Sequence, residues 1–463
     1  DPPKITLTVT GNYVGMGGAM IFNAYLGDST SVSDSLVIDG GSATGNTSVF
    51  IASLGGQGAQ TTGNGILLVD AINGGTTTAT AFALGAPVIA GPYEYLLYRG
   101  GVSGDLPDDW FLRSTLDCEL DPNSPACRPN FRSETSLYTA IPSLALNYGN
   151  MLLDSLDERM GGQRSLQRFG LVGQTGDIDR RAWGRIIATR GSRDGGSSGI
   201  YSDRGPSYNH HTYALQVGLD VYAAGRANGG FDNAGFYFAN GETSATVRHF
   251  DGTKAGTNRT NATTLGGYWT HFGKRGWYLD TVVQGTWYDN KAYGRLSSVK
   301  TKGFGLGASL EAGYPVLLNN GVMLQPQAQL TYQTINLDDS YDMAAKIGFD
   351  NVQSLIARLG ARLSKTWTPD SSLSSTGVLR KTTAWGRVSF INEFLGRPET
   401  RFSSANGDVP FRASTHGAGF KIDAGIDTEI AKGVSFYGSL QFQREFGGSD
   451  YAFGGKIGLK AVF

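Results

Sequence analysis

The residues able to do chemistry are few and scattered. There are five histidines, His210, His211, His249, His271 and His416, and none sits in a His-Glu-x-x-His string that would place two ligands on one helical face. None follows an Asp at the Asp-x-x-His spacing either, so Gly27-Asp-Ser-Thr30 lacks the partner that would make its serine a hydrolase nucleophile. Gly303-Phe-Gly-Leu-Gly307 has glycines enough for a phosphate loop, but no helix pattern follows it to supply the N-terminus such a loop needs. His210-His211 could take a metal, or could simply lie in a turn leading into a strand. Cys118 and Cys127 are the only cysteines, nine positions apart in a Pro-rich stretch. In a secreted chain such a pair closes a small loop as a disulfide. Two reduced thiols are the other reading, and a metal site is weaker because no His pair is near. The chain is therefore expected not to be an enzyme and to need no cofactor.

The elements that hold these residues give a different emphasis. The 463 residues carry a net charge of -1, so no basic face for nucleic acid is expected. Glycine is abundant, 67 residues, with 21 Tyr, 23 Phe and only 15 Pro, which suits long sheets with tight turns. No apolar run reaches the ~18 residues of a membrane-spanning helix. A closed barrel needs only alternating apolar positions, so a membrane is not excluded. The chain starts at Asp1 without a signal peptide and reads as a mature or trimmed fragment.

From about residue 180 the hydropathy repeats every second residue. In 322–334, Val322, Leu324, Pro326, Ala328, Leu330 and Tyr332 alternate with Gln325, Gln327, Gln329, Thr331 and Gln333. In 419–430, Phe420, Ile422, Ala424, Ile426 and Ile430 oppose Lys421, Asp423, Asp427 and Glu429. Runs of ~10 or more residues are long enough to cross a bilayer on a tilt. Twelve such segments centre near Ile187, Val217, Phe238, Tyr268, Val283, Ala308, Ala328, Leu359, Ser389, Ala424, Ser439 and Gly458. They predict an all-β, 12-stranded antiparallel transmembrane β-barrel over 176–463. Trp269, Trp277, Trp287, Trp367 and Trp385 fall near strand ends as candidates for an interfacial girdle. On the last strand Tyr451, Phe453, Ile457, Leu459, Ala461 and Phe463 would face lipid, with Lys456, Gly458 and Lys460 toward the lumen.

Ahead of the barrel, residues 1–115 hold short apolar runs between Gly-rich turns, among them Ile5–Val9, Leu36–Ile38, Val49–Ile51 and Ile66–Val69. Stacked rungs of a parallel β-helix fit this pattern, and a β-sandwich competes. A linker follows over 116–132, then a helix over 133–162. Leu144, Tyr148, Leu152, Leu156 and Met160 form one stripe, Pro142 suits the first turn, and Gly161-Gly162 the stop. A surface amphipathic helix would look the same, but the place just before a barrel favours an α-helix inside the pore. Its acids Asp154, Asp157 and Glu158, beside Arg159, could pair with Arg358, Arg362, Arg387, Lys456 or Lys460 on the lumen wall.

Several of these segments together resemble a known family. Gly11-Asn-Tyr13, Ser33–Ile38, Gly45–Val49, Gly63–Val69, Gly91-Pro-Tyr-Glu-Tyr-Leu-Leu-Tyr98 and Asp109–Ser114 are similar, in order and spacing, to the C-terminal passenger region of pertactin-like autotransporters. With the helix and barrel, nearly the whole chain resembles a monomeric (type V) autotransporter of a Gram-negative bacterium. The resemblance implies that 1–115 caps a passenger β-helix, with Tyr93, Tyr95 and Trp110 as core anchors of the cap. It implies that the helix threads the lumen and that Lys456, Gly458, Ala461 and Phe463 form the signal read by the barrel-assembly machinery, Ala461 being a weak hydrophobe there. Implied surroundings are outer-membrane lipid and lipopolysaccharide, the chain's own upstream passenger at the cell surface, and a monomeric state. Some relatives cut their own lumen helix at an Asn-Asn pair. Asp154-Ser155 stands at that place here, and a carboxylate is a poorer route to the cyclic intermediate, so no cut is expected. Export and anchoring of a passenger is the implied role; a porin-like channel or a surface adhesin anchored by the barrel is the alternative.

Overall fold

In the computed structural model, residues 4–116, 128–153, 181–194, 205–226, 229–367, 381–431 and 433–462 are described. The chain divides into two compact units: 1–135 with 340–348 and 401–410, and the remainder.

The first unit is built on parallel strands, as short β-branched runs between glycine turns demand. Thr6–Val9 pairs with Ser35–Asp39, which pairs with Ile66–Ile72, all parallel. A second ladder stacks Tyr13–Ala24 on Ser42–Ser53 and then on Thr76–Thr77 and Phe82–Leu84. Thr6 faces Ser35, Tyr13 faces Ala43 and Leu36 faces Val69, so each rung consumes about thirty residues, the repeat of a β-helix. Leu36, Ile38, Val49, Ile66 and Leu68 fill the space between the ladders. The parallel stack ends where Trp110–Arg113 pairs antiparallel with both Ile66–Val69 and Tyr93–Arg99. Tyr95 is fully buried, and its hydroxyl donates to the carbonyl of Gly27 at 2.7 Å. Burial pushes that phenol well above its usual range. Trp110 donates from Nε1 to Thr77 Oγ1 at 3.0 Å and meets Phe82 edge-on at 5.4 Å. Tyr93 lies against Phe131, ring centres 5.5 Å apart.

Two helices precede the barrel, α1 (Glu134–Thr139), which begins at the end of the first unit, and α2 (Ile141–Leu152) in the second. The expected single helix is interrupted at Ala140. Pro142 has no N–H to offer the carbonyl four residues back, so the first helix stops and a new one starts with Pro142 in its first turn. The barrel strands are β1 (Arg181–Arg193), β2 (Ser207–Gly225), β3 (Phe231–Arg248), β4 (Lys254–Phe272), β5 (Tyr278–Gly294) and β6 (Ser298–Gly313). They continue with β7 (Val322–Leu337), β8 (Val352–Trp367), β9 (Thr382–Glu393), β10 (Gly417–Ala431), β11 (Val434–Glu445) and β12 (Tyr451–Val462). Each pairs antiparallel with the next, and β1 closes on β12 from Arg181↔Val462 to Ser192↔Tyr451. Each of the twelve predicted centres falls inside one of these strands.

The barrel is inside out relative to a soluble protein. Leu215, Val217, Phe236, Val283, Leu306, Leu359, Val388, Leu440 and Leu459 point outward and exposed. Gln216, Asp220, Gln284, Gln325, Gln333, Arg362 and Asp423 are buried inward. An apolar exterior of this extent is stable only in lipid. Trp269, Trp277, Trp287 and Trp367 are 39–50% exposed, but Trp385 is 8% exposed. It is not a girdle residue. Its ring faces inward under the guanidinium groups of Arg362 at 5.0 Å and Arg387 at 6.0 Å, where a cation on an aromatic face offsets the cost of burying charge.

Candidate functional site: an occupied lumen

Helix α2 lies inside the barrel, and its surroundings explain its composition. Leu144, Tyr148 and Leu152, predicted as one stripe, are buried, but so are Ile141, Ser143, Ala145, Leu146 and Gly149. A helix buried on nearly every face is enclosed, not laid on a surface. Toward its C-terminal end Gly149 O accepts from Leu153 N at 3.3 Å, and the wall adds further donors to the helix carbonyls. Gln284 of β5 donates Nε2 to Gly149 O at 3.1 Å, and Gln329 of β7 donates to Leu153 O at 3.0 Å. Gln333 donates to Leu146 O at 3.4 Å and to the Asn150 side chain. Tyr148 donates its hydroxyl to Ala262 O at 3.2 Å and meets Tyr288 edge-on. Near the start, Ser143 Oγ donates to Ala413 O at 2.8 Å. Ahead of it, Asn258 of β4 donates to Leu137 O at 2.8 Å. Most of these bonds grip main chain.

The helix leans on β3–β7. On the opposite side a polar cavity of about 190 Å³ runs between Asn147, Asn150 and Met151 of the helix and Arg193, His210, Lys421, Gln441 and Glu445 of the wall. At the end of the β1–β12 seam, Arg193 pairs with Glu445 at 2.7 Å and Asp450 at 3.5 Å.

Beyond Leu152, the lumen holds an aromatic cluster. Leu153 packs with Trp183, Tyr237, Tyr268, Phe272, Tyr278 and Val282, all buried. Their polar tips are satisfied: Trp183 Nε1 donates to Tyr268 Oη at 3.1 Å, Tyr268 to Asp220 at 2.5 Å, and Tyr237 to Gln284 at 2.7 Å. Sequence reading missed this cluster. The signal was present in the register, since Tyr237, Tyr268 and Tyr278 share the inward face of their strands with Thr243, Thr264 and Gln284.

The predicted wall cations are all buried strand residues. Arg358 donates to Glu311 at 3.0 Å, and Arg387 to Asp423 at 2.8 Å. Lys460 lies 3.9 Å from Asp427. Arg362 stands over Trp385, and Lys456 is buried on β12 beside Gly458. Arg358 and Arg387 thus have carboxylate partners on the wall itself. Asp154, Asp157, Glu158 and Arg159, expected to line the rest of the helix, lie outside the described residues, as do Cys118, Cys127 and Phe463. Of the assembly-signal residues, Ala461 pairs with Ala182 across the seam and is half-buried. In the Gly303–Gly307 stretch, Gly307 makes room for the residue that follows α2: a Cβ there would lie 2.9 Å from Leu153 Cδ1. At Gly303 the tight neighbours are Asn336 and Leu337 of β7 instead.

The described residues include Gly27–Thr30 and all five histidines. No group of three or more His, Cys, Asp or Glu could hold a metal there. Ser29 Oγ bonds the main chain of Thr62, and Asp28 closes its own turn through Thr30. One Gly-x-Ser-x-Gly string does occur, Gly195–Gly199, outside the described residues. In the sequence it lies between β1 and β2.

Comparison with known proteins agrees with this architecture. A model of the autotransporter beta-domain matches residues 182–441, and one of the type 1 autochaperone domain matches 3–97. The adhesin BmaC autotransporter of Brucella suis biovar 1 is 32% identical over 385 residues, 78% of this chain and 11% of that protein. The pertactin autotransporter of Bordetella bronchiseptica is 25% identical over 70% of this chain and 33% of its own. The first curated relatives are much longer proteins, of which the chain spans 11%, 32% and 26%. The crystal structure of the transport unit of the Escherichia coli autotransporter AIDA-I shares the fold, with a TM-score of 0.57 at 19% identity, covering 72% of this chain and all of that one.

Proposed function

The chain belongs to the autotransporter family, its barrel is an outer-membrane translocator domain, and we propose that it exports and anchors its own N-terminal passenger at the cell surface. The observation that carries this reading is α2 itself. A segment of the same chain, continuous with the β-helix unit, occupies the barrel, and Gln284, Gln329 and Gln333 hold it mainly by its carbonyls. Main-chain donors suit a pore that must accommodate a passing polypeptide of any sequence, because every residue offers a carbonyl. A porin would have no reason to enclose such a helix.

The division of labour follows. Residues 1–115 are the end of the passenger and the cap on which it folds, with Tyr93, Tyr95 and Trp110 as anchors. Residues 116–132 link, with Cys118 and Cys127 closing a loop; 133–162 plug the lumen; 176–463 translocate. The last strand, through Lys456, Gly458, Ala461 and Phe463, addresses the chain to the barrel-assembly machinery, and lipopolysaccharide surrounds the outer rim. Asp154, Asp157 and Glu158 meet the basic wall. The chain's own task is transport and anchoring rather than catalysis.

An epitope placed before Lys4 tests the proposal. On intact cells it should bind antibody, and added protease should remove it while the barrel survives. An epitope reached only after the outer membrane is opened would sink export. Deleting 133–162 separates this from a simple channel: conductance should rise sharply in an exporter and stay unchanged in a porin.

A further inference from the structure

Three cations stand in one row on the outer wall of the barrel. Arg259 of β4 lies directly opposite Lys291 of β5, and Lys291 directly opposite Lys300 of β6. All three point away from the lumen, because their chain neighbours Asn258, Thr260, Asn290, Ala292, Val299 and Thr301 are buried inward. Like charges directly opposite one another across a sheet destabilise it. A bound anion would remove that cost.

The rows beneath say what kind of anion fits. The next row toward the middle of the wall is mixed, with Glu242, Asn261, Asp289 and Lys302 in register. Glu242 Oε1 lies 3.2 Å from Arg259 Nε, and Asp289 Oδ2 lies 3.8 Å from Lys291 Nζ. Asp338 joins that row beside Lys302, its N donating to Lys302 O at 2.8 Å. The side chains of the two ion pairs are 32–56% exposed, so each pair contributes little and leaves its cation open to a further partner. Below this row the wall turns apolar. Trp287 stands opposite Phe304 with ring centres 5.2 Å apart, and Leu265 and Leu306 follow, both exposed. A soluble anion would use the cations and gain nothing from the surface beneath them. A lipid with an anionic head uses both. Three cations on adjacent strands span about 10 Å, so one phosphate reaches two of them and a second is needed for the third.

We propose that the outer face of β4–β6 binds the bisphosphorylated head of an acylated glucosamine disaccharide, the membrane anchor of lipopolysaccharide. Its phosphates sit on Arg259, Lys291 and Lys300 through charge-assisted bonds, and its acyl chains lie along Trp287, Phe304 and Leu306. The row is near the start of β4 and β6 and the end of β5, which the antiparallel order puts at the end of the barrel opposite the start of β1. The export reading above makes that end the cell-surface end and so sets the leaflet. The binding itself does not depend on it.

The test uses the purified full chain in neutral micelles, titrated with bisphosphorylated lipid A, with bound lipid counted by native mass spectrometry and barrel integrity followed by heat-dependent gel mobility. The parent should bind the lipid, and binding should weaken as salt is raised. Lys291→Gln should weaken it roughly tenfold. Arg259→Gln with Lys291→Gln and Lys300→Gln should abolish it while lipid-free mobility stays at the parental level. Arg190→Gln, an exposed cation on β1 away from the row, should bind as the parent does. A triple variant that binds as tightly as the parent overturns the proposal, as does a loss in Arg190→Gln equal to that in Lys291→Gln. Equal binding of lipid A stripped of its phosphates would overturn the role of the cations, and equal binding of phosphatidylglycerol would overturn the assignment to a head with two phosphates. Both lipid comparisons are made on the parent, so they decide even where a variant barrel is lost. An N-terminal tag that fails to reach the surface of intact cells is a separate result, against export, and leaves the micelle measurement standing.

Discussion

Gln284 ties the plug to the aromatic cluster beneath it: its Nε2 donates to Gly149 O at 3.1 Å while its Oε1 accepts from Tyr237 at 2.7 Å. With Gln333 on β7, it holds the middle of α2 against one wall. Each such bond contributes about 0.5–1.5 kcal/mol net. Replacing Gln284 and Gln333 together with Ala should therefore loosen α2 without unfolding the barrel. The expected result in planar bilayers is more frequent excursions to a high-conductance level, with heat-dependent mobility unchanged. An unaltered conductance record would show that the carbonyl grip does not hold the plug.

A second prediction concerns the closing strand. A Cβ at Gly458 would lie 2.4 Å from Tyr437 Cζ on β11, so the ring occupies the space a side chain would need. Gly458→Val forces that ring out of position at a cost of about 1–3 kcal/mol. The folded, heat-shifted form should decrease, and Tyr437→Ala in the same chain should restore part of it. If the second change gives no recovery, the defect lies in recognition of the strand and not in its packing.

Much of this was legible beforehand, and the reason is physical. A membrane barrel enforces strict alternation, because one face meets lipid and the other a polar lumen. Val322–Leu337 and Gly417–Ala431 show their register in hydropathy alone. Where alternation is the wrong measure, sequence reading failed. Trp385 counted as apolar and was assigned to the girdle, yet two guanidinium groups make a place for it inside. Tyr237, Tyr268 and Tyr278 went unnoticed for the same reason. The break at Ala140 was hidden because Pro142 suits the first turn of either one helix or a second. The Arg132–Asp342 pair spans 210 positions and leaves no local trace.

The β-helix part of the first unit, the stem over 4–116, should respond to acid through Asp34. Burial alone would raise its pKa, but bonds from Ile5 N, Asn23 N and the Asn23 side chain outweigh that and hold the carboxyl below its ordinary value. A depressed carboxylate contributes stability that is complete above its unfolded pKa of about 3.9 and is lost as pH falls through the lower folded value. Stem resistance to an acid-active protease should thus decline below about pH 4 in the parent chain. Asp34→Ala should be weaker already at about pH 7, by roughly 1–3 kcal/mol for donors left unpaired, and should show a shallower acid decline. Equal acid profiles would remove Asp34 from the account.

The charges of the plug give a fourth test. Arg358 and Arg387 have wall carboxylates at 3.0 Å and 2.8 Å, so the loss of helix acids leaves those two cations compensated. Replacing Asp154, Asp157 and Glu158 with Ala should still make the lumen more positive overall. The expected outcome is a shift of the residual current toward anions together with a rise in conductance. Unchanged selectivity and conductance would mean that the three acids do not face the basic wall.

The last prediction is chemical. Self-cleavage of a lumen helix through an asparagine requires the side-chain amide nitrogen to attack the adjacent carbonyl carbon, closing a five-membered imide and expelling the next residue's nitrogen. The resemblance to the family puts Asp154-Ser155 at the corresponding place. Asp154 has no amide nitrogen, and its carboxylate is a weak nucleophile that would have to close a less stable anhydride. The chain of 49.2 kDa should therefore persist as one species in purified outer membranes. Intact-mass measurement should show no pair of fragments dividing after Asp154. Asp154→Asn supplies the nitrogen alone, so it separates the nucleophile from the surroundings. A cut appearing in that variant would mean the pore already provides the remaining catalytic groups, whereas a cut in the parent chain would overturn the prediction.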